Sequence, residues 1–148
     1  MSILDQLNEN MKTAMRAKDR ESLATIRMIK AAIQNEQINK GSELNEEEEI
    51  AIVSREKKQR LESLNEFEKA DRLDLVAKLE QELEIVDQYL PEQLTEDEVR
   101  EIVNETIEEV GAESMQDMGK VMSTIMPKVA GRADGGTINK LVREELSK

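Results

Sequence analysis

Residues 89–111, YLPEQLTEDEVREIVNETIEEVG, hold a break, a helix start, a helical stripe and a helix stop in one short stretch. Pro91 has no amide hydrogen and biases Leu90 away from helical backbone angles, so regular structure ends there. Thr95 followed by Glu98 is a capping box, in which each side chain serves the other residue's backbone amide. Val99, Ile102, Val103, Thr106 and Val110 then recur at helical spacing, and Gly111 supplies a left-handed stop. The stretch predicts a short amphipathic helix. It also places a boundary at Pro91 between an N-terminal helical domain, 1–90, and a C-terminal domain, 91–148.

The same signals repeat upstream. Ser2 is placed to cap a helix carrying Ile3, Leu4, Leu7, Met11 and Ala14. Asp19 is placed to cap a second, with Leu23, Ile26, Ile29 and Ile33, which Gly41 stops. Asn45 with Glu48 opens a long third helix through Ile50, Val53, Leu61, Leu64 and Phe67, whose middle, Arg55 to Arg60, is wholly polar. Asp71 restarts the pattern for a fourth helix reaching about Gln88.

Downstream, Asp117 is expected to cap a helix with Val121, Met122, Ile125 and Met126, which Pro127 should kink or end. The segment 131–136, GRADGG, reads as a turn before a last helix with Ile138, Leu141, Val142 and Leu146 on one face. No strand-like alternation occurs. The predicted fold class is all-α, about four helices followed by a small three-helix domain.

Composition removes whole classes of function. Cysteine and histidine are absent, so disulfides, thiol nucleophiles, Ser-His-Asp triads and most zinc or haem ligation fall away. One Phe, one Tyr and no Trp cannot build a platform for stacking exposed bases. The run Glu46–Glu49 lacks the alternating ligands of a calcium loop and suits the first turn of a helix, so no metal or cofactor is expected. No apolar run approaches the roughly 20 residues of a membrane span, and the N-terminus lacks a secretory pattern, so the expected setting is the cytoplasm, away from membranes.

The net charge of −12 is uneven. Residues 114–143 hold Lys120, Lys128, Arg132, Lys140 and Arg143 against only Asp117 and Asp134, a weak basic patch. A second basic run, Lys12, Arg16, Lys18, Arg20, Arg27 and Lys30, is diluted by Asp5, Glu9, Asp19 and Glu21. It reads first as a solvated helical face and second as an anion-facing surface.

The segment 117–146, DMGKVMSTIMPKVAGRADGGTINKLVREEL, interleaves glycines, cations and helix starts. With MKTAMRAKDRESLATIRMIKAAIQNEQI from Met11, ESLNEFEKADRLDL from Glu62 and YLPEQLTEDEV from Tyr89, it resembles the YqeY family over essentially the whole chain. Gly119, Val121 and Met122, then Gly131-Arg132-Ala133-Asp134, are also similar to the tail of the aminoacyl-tRNA amidotransferase B subunit. That tail usually has Lys where Arg132 stands and Pro where Gly135 stands.

The resemblance implies an N-terminal helical domain, a three-helix tail, and attachment to tRNA or to a complex that handles it. Carried over residue by residue, Lys120, Lys128, Arg132, Lys140 and Arg143 become phosphate contacts, with amides around Gly131 and Gly135 as anion donors. The plainer reading is a tight interhelical turn beside solvated cations. No Walker loop, amidase Ser-Ser-Lys set or glutaminase cysteine is visible, so no catalytic residue is named. Carbon-nitrogen ligation with glutamine as amide donor is therefore a property of relatives. A helical adaptor with an unknown protein partner is the further alternative.

Overall fold

The computed structural model describes residues 1–148. The chain is all-helical, with α1 (Ile3–Arg16), α2 (Arg20–Lys40), α3 (Glu46–Lys69), α4 (Leu73–Asp87), α5 (Glu96–Val110), a 3-10 turn (Met115–Asp117), α6 (Met118–Val129) and α7 (Gly135–Leu146). It divides into two compact units, Met1–Pro91 and Glu92–Lys148.

In the first unit, α1 pairs with α2 and α3 with α4. Leu7, Ile29, Ile33, Val53 and Val86 are fully buried at the centre, where aliphatic stripes from all four helices meet. The capping boxes at Ser2 and Asn45 form, and Gly41 stops α2 in the left-handed region. The far end of the α3–α4 hairpin lies outside this core: of its apolar side chains only Val76 is buried, Leu64, Phe67, Leu75 and Leu79 are half-buried, and Leu61 and Leu73 are exposed.

Several local expectations change. Asp71, where the pattern was expected to restart, sits in the turn at φ 56°, and Arg72 takes the N-cap position of α4 without a side-chain cap bond. Glu49 stands in the first turn of α3, as expected, but is buried; its carboxylate accepts from the amides of Ile3 at 3.3 Å and Leu4 at 3.0 Å. It thereby caps α1 from α3. Arg60, at the end of the wholly polar middle of α3, is also buried. Its guanidinium meets Glu56 at 3.1 Å, Glu82 at 3.9 Å and the Met28 sulfur at 3.8 Å, tying α3 to α4 and α2.

The second unit packs α5, α6 and α7 around Val99, Val103, Val121, Ile125, Val129, Ile138, Leu141 and Val142. Thr95 and Glu98 form their capping box, and Gly111 stops α5 at φ 67°. Asp117 precedes α6 but turns its carboxylate away, accepting from the Glu113 amide at 2.9 Å. Pro127 neither ends nor replaces the helix, which runs on to Val129. The carbonyl it leaves without a helical donor belongs to exposed Ser123. The turn before α7 is shorter than expected, because Gly135 and Gly136 already form its first turn.

Candidate nucleic-acid interface

The α6–α7 loop is built by hydrogen bonds to the segment entering α5. The Leu94 amide donates to the Arg132 carbonyl at 2.8 Å, the Gln93 side chain donates to the Gly131 carbonyl at 2.8 Å, and Arg132 Nε donates to the Glu92 carbonyl at 3.1 Å. Gly131 lies at φ 76°, where a side chain would be strained. Arg132 is half-buried, with one of its guanidinium donors committed to this brace.

Lys128 is also engaged. From the last turn of α6 its ammonium reaches Glu109 on α5 and donates to the hydroxyl of buried Thr106 at 3.1 Å. Asp134 caps α7, accepting from the Thr137 amide at 3.3 Å. A carboxylate thus occupies the helix start near Gly135, where the sequence suggested anion donors. An arriving phosphate would meet that negative charge.

Lys120, Lys140 and Arg143 differ. All three are exposed and form no ion pair. Lys140 and Arg143, three residues apart, share the side of α7 turned away from Ile138, Leu141 and Val142. Lys120 lies in the first turn of α6, eight residues and roughly 12 Å along the helix from Lys128. The five expected cations therefore split into three free groups and two that brace the unit.

A charge network missed in the sequence joins α5 to α7. Arg100 contacts Glu145 at 2.8 Å, Glu144 at 3.2 Å and Glu96 at 3.5 Å, and Lys148 meets Glu145 at 2.9 Å. Hydrogen bonds from Lys148 and then Arg100 hold the Glu145 carboxyl below the usual glutamate range. The sequence signals were two local spacings, Glu96 with Arg100 four apart and Glu145 with Lys148 three apart, neither of which reveals the link between helices. In the first unit, a cleft of about 250 Å³ opens between α1, α2 and α4, lined by Thr13, Ala17, Asp19 and Tyr89 among others. Asn10 donates to the Tyr89 hydroxyl at 2.7 Å, and burial pushes that hydroxyl above the usual phenol range. The Asp19 carboxylate in this cleft is held by the Ser22 amide and hydroxyl.

No helix is long and apolar enough to cross a membrane. Among known proteins, the family model described as "Yqey-like protein" matches residues 4–146. The chain is 31% identical over 145 residues to "Altered inheritance of mitochondria protein 41, mitochondrial" of Pyrenophora tritici-repentis, covering 96% of this chain and 80% of that one. The protein of the same name from Vanderwaltozyma polyspora is 32% identical over 120 residues, 76% of this chain and 64% of its own. That from Lachancea thermotolerans is 39% identical over 85 residues, 57% of this chain and 46% of its own. With a family match that runs from the first turn of α1 to the last residue of α7, the chain belongs to the Yqey-like protein family.

Proposed function

We propose that the chain is an attachment module for folded tRNA, or for a complex that handles tRNA, without a catalytic site of its own. The observation that carries this reading is the exposure of Lys120, Lys140 and Arg143 with no carboxylate partner, in a unit whose other cations are largely committed to its own fold. Free cations on rigid helices suit phosphate contacts, which read the shape of a nucleic acid more than its sequence. The few aromatic groups agree with this, since Tyr89 is buried and Phe67 half-buried, leaving no surface on which bases would stack. Lys128 and Arg132 enter as braces that hold the helices carrying the contacts. The cytoplasmic setting expected from the sequence belongs to the proposal, and relatives named as mitochondrial would use the same module in that organelle.

The test is an affinity titration of the whole protein against folded tRNA at two salt concentrations, with double-stranded RNA of similar length as competitor. Salt-dependent binding that prefers tRNA, weakened by Lys140→Gln with Arg143→Gln, is the expected result. No binding at low salt would overturn direct attachment to tRNA and leave a protein of a tRNA-handling complex as the partner to seek.

A further inference from the structure

Up to Lys30 the α1–α2 hairpin carries six side-chain cations, Lys12, Arg16, Lys18, Arg20, Arg27 and Lys30, against four carboxylates, Asp5, Glu9, Asp19 and Glu21, of which Asp5 is spent in the capping box of α1. None of the six forms an ion pair. Asp19, the nearest acid to the hairpin tip, is occupied by the Ser22 amide at 3.2 Å and hydroxyl at 2.6 Å. Elsewhere in this unit the balance is reversed: α3 and α4 are rich in glutamate, and Lys57 and Arg60 are paired there. Lys12 and Arg16 stand one turn apart on the side of α1 opposite Leu7 and Ala14, and Arg20 and Arg27 stand two turns apart on the outward side of α2.

Helix stability does not account for two of these groups. Arg20 is the first residue of α2, where the helix dipole disfavours a cation. Lys18 follows the C-cap of α1 at φ 56°, a left-handed position that glycine fills without strain.

We infer that the α1–α2 hairpin is a second phosphate-contact surface, with Lys12, Arg16, Lys18 and Arg20 gripping the backbone of a folded RNA. This rests on the proposed attachment to tRNA and adds a contact in the N-terminal unit. A membrane fits the hairpin less well, because the apolar stripes of α1 and α2 are spent in the core and only Met15 and Met28 are large apolar side chains exposed between Lys12 and Lys30.

The experiment compares the whole protein with a variant carrying Lys12→Gln, Arg16→Gln, Lys18→Gln and Arg20→Gln, using folded tRNA at 50 and 200 mM salt and vesicles rich in anionic lipid. The inference expects affinity for tRNA at 50 mM to fall at least about tenfold, with the slope of log affinity against log salt reduced by roughly 3 for four lost contacts. Lys18→Gly should lower affinity while raising the melting temperature, which separates lost contact from lost fold. Wild-type binding to tRNA with an unchanged quadruple variant would overturn the hairpin site and leave the C-terminal reading standing. No wild-type binding to tRNA would overturn both, and in that case vesicle binding abolished by the four substitutions would reassign the surface to lipid headgroups.

Discussion

The carboxylate of Glu49, in the first turn of α3, accepts from the amide of Leu4 in the first turn of α1 at 3.0 Å, and from Ile3 beside it. Forty-five residues of chain separate the two ends of this contact. Glu49→Ala removes a buried acceptor and leaves two amides unpaired, so it should destabilise the N-terminal unit by about 2–4 kcal/mol. Glu49→Gln keeps one acceptor oxygen and should lose less. Urea unfolding of the two variants checks the order.

Under the proposed function Lys128 is a brace and Arg143 a phosphate contact, and the two can be told apart. Lys128→Ala breaks a partly exposed ion pair and a bond to Thr106, and should cost about 0.5–1.5 kcal/mol. Arg143→Gln should leave stability within about 0.5 kcal/mol, since the side chain is exposed and unpaired. Affinity for tRNA should move the other way, with Arg143→Gln the more harmful at low salt. Denaturation and binding curves on the same two preparations decide it.

Glu145 predicts a pH dependence. Its folded carboxyl titrates below the unfolded one, so the stability it contributes is present above the ordinary glutamate range, about pH 4.3, and is lost as pH falls through the depressed value. Wild type should exceed Glu145→Gln in urea midpoint at pH 6, and the gap should narrow as pH drops toward 3. A gap that is constant over that range would contradict the assignment.

The outer end of the α3–α4 hairpin should open first. Apart from buried Val76 its apolar side chains are half-buried or exposed and lie outside the central core, so amides around Leu64 to Leu79 should exchange faster than those around Val53 and Val86. Hydrogen exchange read by mass spectrometry gives that ranking directly.

Helix starts that depend on neighbours three residues apart were legible: Ser2, Asn45 and Thr95 cap as their sequences suggest, and Gly41 and Gly111 stop helices in the left-handed region. The start of α4 was not, because no side chain caps it and Arg72 is placed by the turn and the packing of the hairpin. At the candidate interface, the sequence named the cations but not their commitments. Lys128 meets Glu109 nineteen positions away, and Arg132 meets Glu92 forty positions away. Spacing along one helix carries no information about such pairs. The burial of Glu49 and Arg60 was not legible for the same reason, since each contacts a helix remote in sequence.

The brace from Glu92, Gln93 and Leu94 to Gly131 and Arg132 also governs where the chain can be cut. Helix boundaries alone would suggest severing it at Thr95, the cap of α5. A fragment made that way would keep all three C-terminal helices and lose the segment against which their last connection is moulded. Its α7 would then start from an untethered loop, moving Lys140 and Arg143 with it. Any isolated C-terminal piece prepared for binding work therefore needs to begin no later than Glu92.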